Sequence, residues 1–387
     1  MTAESASCIF FGDVFLKDVP DGALLSEELS DYTRRHELRI VNFEGPVAPE
    51  GTPSEKRAGV RLLQHPLAPK CVLDAGFNVI SLANNHMMDY GSAGLRATLD
   101  AFLTVRTLGA GLTAAEAFKP YIVTVNGVKL AFLSLTERQF GTIVAHEGAG
   151  TAWIMDPTLT DEIRQLASVA HHVVILAHAG LENEHTPLPE WRAVYRRFID
   201  EGASAVIASH PHVRQGFEAY GDGIIVYSLG NAAWREEHAV QKRNLSSLVA
   251  SVTFGKHERP VLNVRPVVYA DGCIRFDETE EAENEIRRFC GVLADRSAYR
   301  RECGRMTAAF YADTVLNDFF CVTGALPGGR FQQLKNGAKL VLCERALNIP
   351  LLASMLENET YRWAAAAGMR QKDAHCMNPS EEELWRT

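Results

Sequence analysis

Two imidazoles one residue apart stand in Ser209-His210-Pro211-His212, directly after the short apolar run Ala205-Val206-Ile207-Ala208. That run is short, β-branched at its centre and preceded by Gly202, which predicts a buried strand. Pro211 lacks an N–H and has a fixed φ, so it ends the strand and stiffens the turn. A rigid strand-end pair of histidines suits metal binding, since neutral imidazole is the commonest metal ligand. Taken alone, the same residues would equally make a turn with two solvated histidines.

Other predicted strands end in the same kind of residue. Asp13 follows a run from Cys8, Glu44 follows Leu38 to Phe43, Asn85 and His86 follow Phe77 to Ala83, and His178 follows His172 to Ala177. Each has an ordinary structural alternative: a turn former after Gly12 for Asp13, a turn before Pro46 for Glu44, a left-handed residue for Asn85, a satisfied core histidine for His178. In open α/β sheets, however, ligands bind at the carboxyl ends of strands, and the recurrence there points to a metal site. The donors are carboxylate, amide oxygen and imidazole, with no thiolate. That set suits divalent metal ions (Mn2+, Zn2+ or Fe2+). It exceeds what one open catalytic zinc uses. Two ions sharing a carboxylate would use it, clamping both oxygens of a displacement at phosphorus. One or two ions per chain are expected.

Weaker candidates surround this set. Arg57, Arg61 and Arg214 could fork onto a carboxylate or phosphate. Glu137 ends a predicted hairpin strand and could point into the site. Glu182 and His185 lie on the loop after His178, and Glu182 is the better candidate for a supporting role. His171 and His172 begin a strand at the opposite end and are read as structural or exposed.

The elements that must position these residues alternate strand and helix, which predicts an α/β fold. Strands are expected at Cys8 to Asp13, Leu38 to Phe43, Phe77 to Ala83, His172 to Ala177, Ala205 to Ala208, Ile224 to Tyr227, and near 246–254 and 261–269. Helices are expected over 22–36, Ala68 to Ala75, from a Ser92 cap to about Thr107, over 158–170 and over 189–201. Asn126-Gly127 between two apolar runs predicts a type I′ hairpin, so the sheet is mixed. Residues 47–61 read as a loop. From about Glu280 the texture turns helical, over 280–318 and 330–370, broken at Gly324 to Gly329. Residues 1–270 are therefore read as one domain and 271–387 as a mainly helical C-terminal region, with the last dozen residues frayed.

With 387 residues, 47% hydrophobic and 22% charged, the chain is of ordinary globular composition. A formal net charge of −9 argues against nonspecific nucleic-acid binding but permits a small anionic or polymeric substrate beside a bound cation. The eight cysteines form no CxxC pair, which fits free thiols in a reducing compartment. The first residues lack a basic n-region, and no apolar run approaches the ~18 residues of a membrane span. No secretory signal and a cytoplasmic location are expected.

The ordered motifs resemble a known family. They are Gly12-Asp13, Asn42-Phe43-Glu44, Ala83-Asn84-Asn85-His86 with Asp89-Tyr90-Gly91, His178-Ala179-Gly180 with Glu182, Ser209-His210-Pro211-His212, and Tyr227-Ser228-Leu229-Gly230-Asn231. Over about residues 8–270 the chain resembles the capsule-synthesis CapA family, associated with poly-γ-glutamate biosynthesis and similar to calcineurin-like metallophosphoesterases. The resemblance implies a sandwich of two mixed β-sheets flanked by helices. It implies that Glu44 bridges two metals, with Asp13 and His212 at one and Asn85, His178 and His210 at the other. A metal-bound hydroxide would be the nucleophile. His86 would be a general acid or a donor to the leaving oxygen. Asp89 would orient His86, or equally sit at a helix N-terminus.

Three departures stand out. Phe15 occupies the place where metallophosphoesterases usually carry a histidine, so the Asp13 side has one ligand fewer; CapA-like sequences generally share this gap. Ala232 follows Asn231 where an aromatic residue is usual. Many capsule-synthesis members carry an N-terminal membrane anchor, and this chain begins at the first strand. The implied activity is metal-dependent hydrolysis. The alternative is a non-catalytic accessory protein that binds an anionic polymer or metabolite beside polymer-synthesis proteins.

Overall fold

Strands with apolar residues on both faces build the centre of the molecule. β7 (Val128–Thr136), β10 (His172–His178) and β11 (Ala205–Ser209) are buried along nearly their whole lengths, as parallel strands covered on both faces must be. A computed structural model describes residues 4–56, 59–143, 145–235, 245–311 and 358–377. Two compact units result, one of Met1–Lys56 with Val60–Asp295, the other of Arg57–Gly59 with Arg296–Thr387.

The first unit is a mixed α/β sandwich of two main β-sheets flanked by helices. One sheet has the order β17 (Cys273–Phe276), β16 (Val261–Ala270), β15 (Ser246–Gly255), β1 (Ser5–Leu16), β2 (Leu38–Phe43), β3 (Val79–Ser81), β4 (Arg106–Leu108), with β14 (Asn231–Arg235) also on β1. β1 to β4 are mutually parallel, whereas β15 to β17 are antiparallel. The other sheet runs β12 (Phe217–Tyr220), β13 (Gly223–Val226), β11, β10, β7, β6 (Tyr121–Val125). Its central strands β13, β11, β10 and β7 are parallel. A small sheet of β5 (Ala110–Gly111), β8 (Thr142–Ile143) and β9 (Gly150–Ala152) stands apart.

Alternate residues of both sheets meet between the layers. Cys8, Phe10, Leu38 and Ile40 pack with Leu130, Phe132, Val174, Leu176 and Ile207. The opposite faces receive helices. α1 (Glu27–Arg34), α2 (Ala68–Asp74) and α3 (Gly91–Ala101) supply Leu29, Val72 and Leu95 to the outer face of the first sheet. α5 (Leu159–Val169) packs on β10, and α6 (Pro189–Asp200) on β11 and β13. α4 (Ala114–Ala117) is a short turn at β5, and α7 (Glu280–Ala294) packs on β12. In the second unit α8 (Arg296–Phe310) and α9 (Glu359–Met377) pair with each other.

Several boundaries differ from the sequence reading for local reasons. β1 continues through Asp13 to Leu16, because Gly12 forms a bulge that lets pairing resume beyond it. α1 starts only at Glu27, since the Ser26 hydroxyl caps the Leu29 N–H. α3 ends at Ala101, and the β-branched Thr107 lies in β4. Its cap position is Tyr90, without the expected Ser92 side-chain cap. β3 is three residues, and Phe77, Asn78, Leu82 and Ala83 on either side of it carry no regular secondary structure. The 280–318 segment is interrupted at Asp295. Gly324 to Gly329, most of the 330–370 segment and the last ten residues lie outside the described residues. The Asn126-Gly127 turn has φ of 48° and 84°, both left-handed, as a two-residue hairpin requires. Among the described residues Cys8, Cys71, Cys273, Cys290 and Cys303 are free thiols, and no helix is long and apolar enough to cross a membrane.

Candidate metal centre

The parallel strands of both sheets end on the same side, and their ends converge. From the first sheet come Asp13 in β1, Glu44 after β2 and Asn85 after β3; from the second come His178 at the end of β10, and His210 and His212 after β11. Side-chain bonds cross between the layers there, among them Ser81 to Ser134 at 2.8 Å and Asn42 to His178 at 3.3 Å.

Backbone features aim these residues. The Gly12 bulge presses β1 so close to Gly230 that a Cβ on Gly12 would overlap the Gly230 carbonyl oxygen. Asp13 N–H donates to that same oxygen at 3.0 Å, which locks the aspartate in place. His210 and His212 adopt φ of 101° and 61°, unusual for residues with a side chain. Such backbone persists only where its surroundings over-determine it. Here the His210 N–H is fixed on Asp13 Oδ2 at 3.1 Å.

The six side chains form one connected cluster. His178 Nδ1 lies 3.6 Å from Asp13 Oδ1, and His178 Nε2 lies 3.0 Å from Asn85 Oδ1, 3.1 Å from His210 Nδ1 and 3.9 Å from Glu44 Oε1. His212 Nδ1 is 3.8 Å from Asp13 Oδ2, and its Nε2 is 3.9 Å from Glu44 Oε1. Glu44 is common to two groups of candidate ligands, one with His210 and His212, the other with Asp13 and His178. This grouping differs from the pairing that the resemblance implies, because His178 stands between Asp13 and Asn85 and reaches both.

Further residues orient the imidazoles. His212 Nδ1 lies 2.9 Å from Asn231 Oδ1, and His210 Nε2 lies 3.3 Å from Glu137 Oε1. Gln139 joins Glu137 to Asn85, with bonds of 2.6 and 3.2 Å. Fixing one ring nitrogen in this way sets which nitrogen remains for a ligand.

Charge follows the geometry. Burial pulls the Asp13 pKa upward, but hydrogen bonding and charge from His178, with His212 and Ser209, outweigh it and hold the carboxyl well below the usual range. Burial pushes His178 down to about 4, so it is neutral, the form that binds metals. Burial, then the charges of Asp13 and Glu182, push Glu44 well above the usual carboxylate range. Burial opposes ionisation of His210, yet the Glu137, Glu182 and Asp13 carboxylates raise its pKa. Glu182 is lowered: burial acts against this, and the charges of His212 and His210 prevail.

Glu44 is fully buried, and neither of its carboxylate oxygens has a hydrogen-bond partner. Buried polar groups are almost always satisfied, so an orphaned carboxylate among imidazoles and a second carboxylate fits a bound cation. The nitrogen and oxygen donors fit a borderline or hard divalent ion.

His86 sits beside this cluster. Its Nδ1 is 2.7 Å from Asp89 Oδ2, and burial keeps the ring's pKa low against the pull of Asp89. Asp89 Oδ2 also accepts the Leu62 N–H at 2.8 Å. Of the weaker candidates, Arg61 is exposed and donates through Nε to the Lys56 carbonyl at 2.7 Å. Arg214 is buried and turns its guanidinium to Glu285 and to Asp277, so it ties α7 to the His-Pro-His loop and is engaged there instead of meeting the cluster. His185 Nδ1 bonds the Arg214 carbonyl, and its ring stacks on Phe289. Arg57 lies outside the described residues. His171 and His172 hold backbone at the far end, on Lys129 and Gly255.

Phe15 is buried against Trp234, with ring centroids 5.1 Å apart, and Trp234 meets the His212 ring at 4.8 Å. An aromatic wall thus stands where an extra histidine would be expected, and Trp234 supplies the ring that Ala232 does not. Lys56, Asn42, Gln139 and Trp234 were not legible as site residues. Asn42 had a signal, its place in the Asn42-Phe43-Glu44 motif; Lys56 in its charged loop had none.

The profile of the family described as bacterial capsule synthesis protein PGA_cap matches residues 7–235. Capsule biosynthesis protein CapA of Bacillus anthracis is 34% identical over 212 residues, 52% of this chain and 52% of that protein. PGA biosynthesis protein CapA of Bacillus subtilis (strain 168) is 32% identical over 194 residues, 49% of this chain and 51% of that protein. The chain thus spans about half the length of the curated relatives it matches. A solved structure described as a novel phosphatase from Mycoplasma pneumoniae aligns at 15% identity and a TM-score of 0.45, covering 69% of this chain and 95% of that one. With the family match extending over residues 7–235 of 387, the chain belongs to the bacterial capsule synthesis protein family PGA_cap.

Proposed function

We propose that this protein is a metal-dependent hydrolase of the phosphoesterase type, acting in capsule or poly-γ-glutamate metabolism. The observation that carries this reading is Glu44, a buried carboxylate with both oxygens unpartnered between His178 and His212. Asp13, Glu44, Asn85, His178, His210 and His212 would hold one or two divalent ions. When bound, such an ion supplies Lewis-acid polarisation of the scissile group and a water more acidic than bulk water. In this reading His86 manages the proton: Asp89 holds Nδ1, and Nε2 would serve the leaving oxygen. Burial of the cluster excludes bulk water and strengthens every charge in it.

A second reading rests on Phe15. With Phe15 packed on Trp234, the Asp13 side has one histidine fewer than metallophosphoesterases usually carry, which favours a single ion and an accessory protein that binds an anionic polymer or metabolite. Poly-γ-glutamate contains no phosphate, which also favours it. Partners would be polymer-synthesis proteins, and the compartment the cytoplasm.

Metal analysis and turnover separate the two. The hydrolase reading expects close to two ions per chain and Mn2+-dependent cleavage of an aryl phosphodiester. His86→Ala should lower the rate by about 10²- to 10⁴-fold with metal retained, and His178→Ala should lose both. No metal-dependent cleavage of phosphate mono- or diesters by the wild type, with one ion or none bound, would sink it.

A further inference from the structure

Lys56 is a buried cation in a loop that has no regular secondary structure, yet the loop is held with unusual care. The Asp89 carbonyl accepts three donors from it: Ser54 Oγ at 2.8 Å, Glu55 N–H at 2.9 Å and Lys56 N–H at 3.3 Å. Arg61 Nε bonds the Lys56 carbonyl, and the next N–H, that of Leu62, goes to the Asp89 carboxylate. A side chain on Gly91 would occupy the space of the Glu55 carboxylate, so the turn after Asp89 is shaped around the same segment. These contacts deliver one side chain to the cluster. Lys56 Nζ stands 3.3 Å from Asp89 Oδ1 and 3.3 Å from His86 Nδ1.

The ammonium has three donors. One faces Asp89. His86 Nδ1 already faces Asp89 Oδ2, so in the neutral ring its proton is spent there and it accepts nothing from lysine. The charge of Lys56 also acts on Glu44 and Glu182, so it lies within electrostatic reach of the cluster's carboxylates. The buried carboxylates Asp13, Glu44, Asp89 and Glu137 repel an anionic substrate unless cations stand beside them. Neutralising Asp89 alone would need neither the site beside His86 nor donors to spare.

We propose that Lys56 is the anion-receiving side chain of this site, taking an oxyanion of the substrate, phosphate or carboxylate, next to His86. This rests on the site being a substrate site, catalytic or not, and does not require turnover. A substrate oxygen on Nζ would sit against His86, where a leaving group or polymer carboxylate is held for the rest of the site.

The test is calorimetry on the full chain loaded with Mn2+, using inorganic phosphate and a γ-linked glutamate oligomer as separate probes. K56M keeps the apolar stem and removes the charge; K56R keeps the charge. The expected result is weakening of one probe by about 10- to 100-fold in K56M, the loss of one charged hydrogen bond. Mn2+ affinity should stay within about 3-fold, and K56R should recover most of the binding. Which probe responds identifies the oxyanion. If K56M does not fold, K56Q, which keeps a donor to Asp89 without the charge, carries the comparison. Equal binding of both probes by wild type and folded, loaded K56M overturns the proposal, as does a wild type that binds neither. Parallel loss of Mn2+ and both probes in K56M and K56R alike also overturns it, by making Lys56 a structural counter-charge. A wild type that binds the oligomer through Lys56 but cleaves no phosphate ester ends the hydrolase reading and leaves Lys56 standing.

Discussion

Replacing Glu44 by glutamine should stabilise the metal-free protein while abolishing its response to metal. Glu44 is fully buried, neither oxygen has a partner, and burial with the nearby Asp13 charge opposes its ionisation. Glutamine leaves the same two buried atoms unpaired, so what it relieves is the cost of keeping a buried carboxyl at pH 7 with its ionisation opposed, on the order of 1–3 kcal/mol. Glutamine has nearly the same shape, so no cavity offsets the gain. In chelator at pH 7, Glu44→Gln should therefore be about 1–3 kcal/mol more stable than wild type. The sign with pH follows from the raised pKa. Stability referable to Glu44 is full below the ordinary carboxylate value and is lost as pH rises towards the raised folded value. The advantage of the variant should thus shrink towards pH 4 and widen above it. With metal at about 100 times its dissociation constant, wild type should gain about 2.7 kcal/mol, and the variant little. Thermal and urea melts of both proteins, with chelator and with Mn2+, decide this. A variant less stable than wild type in chelator, or one that gains as much from Mn2+, would refute the assignment of Glu44 as the shared ligand.

Gly12→Ala should cost more than about 3 kcal/mol, beyond ordinary overpacking, because the added methyl meets the Gly230 carbonyl and neither strand can move without breaking the Asp13 bond. Soluble yield and urea midpoint check it. Glu218 accepts from Arg192, Arg196 and Tyr227 and, against burial, is held down to about 2. Its stabilisation, on the order of 1–3 kcal/mol, should be complete above the usual carboxylate pKa and lost as pH falls towards 2. Acid titration of stability in wild type and Glu218→Gln reads it, and parallel curves would contradict it.

The hairpin at Asn126-Gly127 and the strands β7, β10 and β11 were legible because local chemistry and burial agree there: a turn needing positive φ and runs apolar on both faces. The candidate ligands shared one visible rule, a polar residue just past an apolar run, and the structure brings Asp13, Glu44, Asn85, His178, His210 and His212 together. Lys56 obeys no such rule. Its burial comes from hydrogen bonds to one carbonyl 33 positions along the chain, at Asp89, and one lysine in a charged loop looks like any solvated one. Gln139 is equally hidden, since its role depends on Asn85 and Glu137 arriving from different sheets. The end of α3 and the extension of β1 past Asp13 were set by pairing partners distant in sequence, β3 and β14, which local propensity does not report.

The cluster draws half its donors from each layer of the sandwich. Its distances across the layers, 3.0 to 3.9 Å, are therefore a gauge of how far apart and in what register the sheets rest. Metal coordination asks for ligand distances within ~0.2 Å. The interior pack of Phe10, Leu130, Phe132 and Leu176 thus sets the bite of the site as directly as the ligands do. In the proposed metal site, the choice of ion would therefore depend also on apolar residues that never touch it.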